Sequence, residues 1–176
     1  MQVAHFVPFT EYPKEQELLL RAGEWLQPRL QEFENLPRQM IHGDWTPRNV
    51  LFVASGDHFY LKAVLDFEAM ALDPVHVDVG SMCSTLLMWS ALDGVDELID
   101  SLLNIYENLS DRHLERDHVF TAMLAHWLCN FWSWRDRIEA GGFGQEVKDR
   151  LCLRIASVLD YVNGSHKARP TIDPEA

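Results

Sequence analysis

The sequence is 176 residues long and 47% hydrophobic, which fits one globular domain with a sizeable core. A formal net charge of −12 and a pI near 5.0 argue against a nucleic-acid-binding face, which normally carries a basic patch. The three cysteines form no CxxC pair, which argues against a disulfide framework and a zinc knuckle. No apolar run approaches the roughly 20 residues of a membrane span, which argues against a membrane protein.

The first segment, residues 1–38, predicts an irregular lead-in followed by an amphipathic helix. Apolar residues recur three or four positions apart from Lys14 to Phe33. Pro13 suits the first turn of this helix, whereas Pro28 is expected to kink or divide it. A short strand is predicted over Gln39 to Ile41.

A β-hairpin is predicted in the second segment, residues 39–80. Two β-like runs, Val50 to Val53 and His58 to Leu65, are separated by the sequence Ala54-Ser55-Gly56-Asp57. This sequence is typical of a turn, because Gly and Asp tolerate positive φ angles. The hairpin returns the chain to the edge of the sheet from which it started.

Polar side chains flank the hairpin at both ends. Asp44, in the loop His42-Gly43-Asp44, and Asn49 precede it, and Asp66 follows its second strand. Because a hairpin brings its two ends together, we expect these three side chains to converge at one mouth of the sheet. Their oxygen atoms predict a Mg²⁺ site beside a general base.

The remainder of the chain predicts a helical subdomain over residues 81–164 and a flexible tail over residues 165–176. In the longest helix, Trp127 and Phe131 share an apolar face and are expected to pack in the core. Periodicity and turn residues predict helices at Val79 to Leu92, Val95 to Leu109, Ser110 or Asp111 to about Ile138, and Gln145 to Val162.

A series of motifs within residues 39–82 resembles the catalytic half of the aminoglycoside phosphotransferase and choline kinase group, relatives of the protein kinases. The motifs are His42-Gly43-Asp44, Asn49, Leu65-Asp66-Phe67-Glu68, Asp73-Pro74 and Asp78. The resemblance implies an α+β fold, with a small catalytic β-hairpin core and a mainly α-helical body equivalent to the C-terminal lobe of a kinase-like phosphotransferase. We expect residues 1–176 to form this single domain without the N-terminal nucleotide lobe, since no glycine-rich loop or strand lysine precedes the motifs.

The resemblance also implies the catalytic group and the metal ligands. Asp44 matches the aspartate that accepts the proton of the substrate hydroxyl or orients that hydroxyl. Asn49 and Asp66 match the two metal ligands of the family, with Mg²⁺ and ATP as the implied cofactors. Such residues suit phosphoryl transfer, which needs an aligned nucleophile and a hard cation at the phosphates.

Supporting roles are implied for three further residues. Glu68 is expected on the same side as Asp66 if the strand geometry persists, where it would touch a second metal ion or its waters. Asp78 matches an aspartate that braces the catalytic loop through backbone hydrogen bonds, and His42 is expected to be a hydrogen-bonding buttress. A hydrolase metal centre built from His42, His76 and Asp78 is an alternative, although no HxH or HxxxH pair supports it.

The function implied by the resemblance is transfer of the γ-phosphoryl group of ATP to a hydroxyl of a small substrate, by a catalytic lobe that is incomplete without an N-terminal lobe. The alternative is a non-catalytic, pseudokinase-like binding module. We expect a separate N-lobe chain or a second copy to cover the exposed lobe interface, and we expect a cytoplasmic protein that binds neither nucleic acid nor a membrane.

Overall fold

The computed structural model of the chain describes residues 13–89, 95–110, 112–133 and 143–164. Five α-helices and four short β-strands make up these residues, which confirms the predicted α+β class. The predicted tail, residues 165–176, and the lead-in before residue 13 lie outside the described residues. Within the described part of the chain, no helix has both the length and the apolar character needed to cross a membrane.

The helices are α1 (Pro13–Phe33), α2 (His76–Trp89), α3 (Val95–Ser110), α4 (Arg116–Ser133) and α5 (Phe143–Val162). Helix α1 continues through Pro28, so the expected division of the helix at this residue is wrong. Pro28 lies on the exposed side, while Ala22 and Leu26 on the opposite side are buried in the core. Packing of this apolar stripe stabilises the helix on both sides of the proline.

The strands are β1 (Gln39–Ile41), β2 (Val50–Ser55), β3 (His58–Val64) and β4 (Ala71–Asp73). Strands β2 and β3 form the predicted antiparallel hairpin, whose turn is Gly56-Asp57 between the paired residues Ser55 and His58. Gly56 has φ +61°, the left-handed conformation that glycine adopts at little cost. The hairpin prediction is therefore confirmed, with strand β2 two residues longer than expected.

Strand β4 was not predicted, and it pairs with β1 in a second antiparallel sheet. The pairing sets Ile41 opposite Ala71 and Gln39 opposite Asp73. It therefore closes a loop around the hairpin and brings the residues after Ile41 close to those before Ala71. Strands of three residues are too short to show an alternating pattern in the sequence.

The core lies between the helices, with α2 packed against α4. A Cβ atom at Gly80 of α2 would lie 2.5 Å from Cβ of Ala122 and 2.9 Å from the backbone nitrogen of Met123. Glycine at position 80 thus permits the close approach of the two helices. Trp127 is buried and donates a hydrogen bond from Nε1 to the carbonyl oxygen of Ser84 at 3.1 Å. The predicted core positions of Trp127 and Phe131 are confirmed, since each is 1% exposed.

Helix α4 begins later than expected. Ser110 is the last residue of α3 and its hydroxyl donates to the carbonyl oxygen of Tyr106, so it does not cap the next helix. The connection is held instead by Leu114, which is buried and donates its backbone N–H to Oε1 of Glu107 at 3.0 Å. The predicted start of this helix is therefore wrong, while Asp111 and the predicted end near Ile138 lie outside the described residues.

Candidate active site

The loop that carries Asp44 is fastened to the first turn of α2. The backbone N–H groups of His42 and Gly43 donate to Oδ2 and Oδ1 of Asp78, each at 2.8 Å. Gly43 has φ +81°, and a Cβ atom there would lie 2.0 Å from the carbonyl oxygen of Ala69. A side chain at position 43 would therefore displace the loop from the carboxylate that holds it.

His42 joins this loop to the end of strand β3. Its buried ring places Nε2 at 2.7 Å from the carbonyl oxygen of Leu65, and the backbone N–H of Asp44 points to Nδ1 over a longer 3.4 Å. These partners assign the proton to Nε2, because Nδ1 faces a donor and Nε2 faces an acceptor. The ring also lies 5.0 Å from Phe67, measured between centroids. With both nitrogens occupied, His42 positions the loop.

Asp44 and Asn49 are bonded directly to each other. Nδ2 of Asn49 donates to the backbone oxygen of Asp44 and to its Oδ2, both at 2.9 Å. Asn49 is buried at the end of a 3₁₀ turn, Pro47–Asn49, which begins the chain's entry into strand β2. Asn49 thus holds Oδ2 of Asp44, whereas Oδ1 has no hydrogen-bond partner among the described residues.

Asp66 lies at a sharp bend after strand β3. With φ 61° and ψ 68°, it is the sole residue other than glycine with a positive φ in the described part of the chain. Aspartate enters this left-handed conformation more readily than most residues, and such conformations concentrate at functional sites. The neighbouring backbone is fixed by the N–H of Leu65, which donates to the carbonyl oxygen of Asn49 at 2.8 Å.

One cavity of about 350 Å³ brings Asp44, Asn49 and Asp66 together. Its other wall is formed by side chains of α2, α4 and α5. The further lining residues are Thr46, Arg48, Ser84, Thr85, Met88, Trp89, His126, Trp127, Asn130 and Leu151. The site thus combines carboxylates, amides, hydroxyls and an imidazole with an apolar floor, as is usual for a small-molecule site.

Comparison with known protein families matches residues 7–128 to the Phosphotransferase enzyme family. The chain belongs to this family. The matched range covers α1, the loop of Asp44, both sheets and most of α4. No curated protein and no solved structure matches the chain.

The donor atoms of the candidate site suit a hard cation. Because Nδ2 of Asn49 is bonded to Asp44, its Oδ1 is the atom that can act as a ligand, together with the carboxylate of Asp66. No cluster of three or more His, Cys, Asp or Glu side chains with metal-binding geometry occurs among the described residues. A Mg²⁺ ion bound through nucleotide phosphates requires only one or two carboxylates.

Glu68 does not share the cavity with the other predicted phosphotransferase residues. Strand geometry ends at Val64, and Glu68 lies in a 3₁₀ turn, Phe67–Ala69, where it is exposed. The alternation of a strand therefore cannot place it beside Asp66, and its contact with a second metal ion stays a prediction. The alternative hydrolase centre does not assemble either, because Asp78 binds backbone N–H groups while the ring of His76 packs on Phe33 and His118.

The sequence reasoning missed His126, which lines the cavity opposite the loop. Burial lowers the pKa of its imidazole below the ordinary value, while the Asp44 carboxylate acts in the opposite direction. The imidazole is thus neutral at pH 7 and offers one donor and one acceptor nitrogen. A signal for it exists in the sequence, since His126 and Asn130 are polar residues four positions apart within residues 122–132 of α4, a stretch that is otherwise apolar.

Proposed function

We propose that this phosphotransferase moves the γ-phosphoryl group of ATP to a hydroxyl group of a small-molecule acceptor, with Asp44 as the general base. The observation that carries the proposal is the convergence of Asp44, Asn49 and Asp66 on one cavity. Bound Mg²⁺, held by Asn49 and Asp66, would neutralise negative charge on the phosphate groups. The cavity volume of about 350 Å³ is at the small end of the range for ligand sites, which favours a small acceptor.

In the proposed reaction, Oδ1 of Asp44 receives the proton of the acceptor hydroxyl. The acceptor oxygen forms a bond to the γ-phosphorus, and the bond from that phosphorus to the bridging oxygen breaks with its electron pair, which leaves ADP. Asn49 and Asp78 support this step without touching the acceptor. Asn49 orients the carboxylate through Oδ2, and Asp78 fixes the loop through two backbone hydrogen bonds.

The test is Mg-ATP binding by calorimetry, followed by ADP release with choline, homoserine, glucose and kanamycin as hydroxyl probes. The variant Asp44→Asn should retain Mg-ATP binding but lose a factor of about 10² to 10⁴ in turnover. Asp57→Asn, at the exposed turn of the hairpin, removes the same charge away from the cavity and should behave as wild type. Absence of Mg-ATP binding even when the expected N-terminal nucleotide lobe is supplied, or full turnover by Asp44→Asn, would overturn the proposal.

A non-catalytic binding module is the second candidate, and the exposure of the hairpin favours it. Large apolar side chains on both faces of this hairpin are exposed, and we call them the hairpin patch: Leu51, Phe52, Val53, Phe59, Tyr60 and Leu61. Apolar surface of this extent usually marks an interface. Mg-ATP binding with no transfer to any acceptor, together with a bound protein partner, would favour this candidate over the enzyme.

A further inference from the structure

We propose that His126 and Asn130 form an acceptor-recognition wall, which selects an acceptor carrying a second hydroxyl or amino group beside the reacting hydroxyl. This inference rests on the proposed function and names the class of its acceptor. Both residues line the cavity that contains Asp44, Asn49 and Asp66. They belong to α4, whereas the carboxylates and Asn49 belong to the loop and hairpin segment, so the wall faces the reacting groups from a separate element.

The wall is held in a fixed position relative to Asp44. Helix α4 packs closely on α2 at Gly80, four residues before Ser84, whose carbonyl oxygen accepts the indole N–H of Trp127. The same helix α2 holds the loop of Asp44 through the carboxylate of Asp78 and through the hydroxyl of Ser81, which donates to the carbonyl oxygen of Trp45 at 3.1 Å. Helix α2 is therefore the common support of the general base and the wall.

The chemistry of the wall favours an acceptor with more than one polar group. Asp44 has one free carboxylate oxygen among the described residues, which is enough for the reacting hydroxyl. The neutral imidazole of His126 and the amide of Asn130 provide further donors and acceptors, and residues four apart on a helix have Cβ atoms about 6 Å apart. A second hydroxyl or amino group can bond to them directly, whereas a simple alcohol offers them no such group.

A first test detects the wall without any nucleotide. The chain, labelled with ¹⁵N-histidine, is titrated with glycerol and, as the matched probe with one hydroxyl, 1-propanol. Glycerol should shift the ring-nitrogen signals of His126 more than 1-propanol does, and His126→Gln assigns these signals by their loss. His113, whose side chain is 72% exposed, is the internal control and should respond equally to both. Equal responses of His126 to the two probes would overturn the proposal.

A second test separates the wall from the nucleotide site. With an acceptor that the chain phosphorylates, His126→Phe should raise the KM for the acceptor about tenfold, the cost of one hydrogen bond, while the KM for ATP stays unchanged. His126→Gln should restore part of the acceptor affinity, and Asn130→Leu, at a partly exposed position, provides a second variant. An equal rise in both KM values would contradict the proposed wall.

The two proposals fail separately. Absence of phosphotransfer with a glycerol-specific shift at His126 would remove the enzyme proposal and leave a polyol-binding cavity. Phosphotransfer together with equal glycerol and 1-propanol responses would remove the wall and leave the enzyme proposal intact.

Discussion

The pH dependence of stability should report on His76, a buried histidine at the start of α2. Its ring packs at 6.0 Å from that of Phe33 and at 5.2 Å from that of His118, measured between centroids. Neither ring nitrogen has a hydrogen-bond partner among the described residues. Burial lowers the pKa of His76 to about 4, and the nearby His118 contributes in the same direction.

The sign of the effect follows from the two pKa values of His76. In the unfolded chain its pKa is about 6.5, so between pH 6.5 and pH 4 the unfolded state binds a proton that the folded state does not. The contribution of His76 to stability is therefore complete above pH 6.5 and is lost as the pH falls towards 4. From pH 7 to pH 5 the free energy of unfolding should fall by about 2 kcal/mol at most, and partial solvation of the ring reduces this loss to about 1 kcal/mol.

The assay is urea unfolding at pH 7 and pH 5 for wild type, His76→Phe and His58→Phe. The phenyl ring of His76→Phe can pack on Phe33 and carries no titratable group, so this variant should lose about 1 kcal/mol less stability than wild type on acidification. His58 is exposed on the hairpin, and its variant should follow wild type. If His76→Phe loses as much stability as wild type between the two pH values, the assignment to His76 is wrong.

Three further predictions concern the loop, the bend and the hairpin patch. Asp78→Asn should lower the free energy of unfolding by about 2 kcal/mol in urea, since an amide has one acceptor oxygen for the two backbone N–H groups that the carboxylate binds. An unchanged urea midpoint would argue against the bracing role of Asp78. Asp66→Asn should abolish Mg-ATP binding with little change in the free energy of unfolding, whereas Asp66→Ala should also lower that free energy by about 1 kcal/mol, because alanine tolerates the left-handed conformation poorly. Equal stability of the two variants would contradict this prediction. Phe59 is 75% exposed, so we expect wild type to self-associate at high concentration in analytical ultracentrifugation, and Phe59→Ser to self-associate less. A monomeric wild type would refute this prediction.

Local and periodic features were predictable from the sequence. The hairpin is defined by two β-like runs and by Gly56-Asp57, and both signals depend on the intrinsic conformations of neighbouring residues. Helix α1 followed from apolar residues three or four positions apart, a pattern that its buried stripe reproduces. Asp44 and Asp66 were named because a hairpin returns its end to its start, and the structure sets them in one cavity.

Features that depend on distant partners were not predictable from one sequence. Strand β4 has three residues and pairs with β1, which lies on the other side of the hairpin in the chain, and this distant partner was not apparent from the sequence. The start of α4 depends on Leu114, which is anchored by Glu107, so capping residues alone gave the wrong position. Glu68 was placed on the assumption that strand geometry continues past Asp66, whereas strand β3 ends at Val64 and Asp66 lies in a left-handed bend.

The sequence by itself determined which groups carry the candidate chemistry, because the spacing of His42, Asp44, Asn49 and Asp66 around a hairpin is a local property of the chain. Only the tertiary structure decided what faces them. His126 reaches the cavity because α4 packs on α2, an approach that depends on the absence of a side chain at position 80. The spacing of His126 and Asn130 is visible in the sequence, but their position opposite Asp44 depends on contacts between helices far apart in the chain and emerges only when the helices are packed.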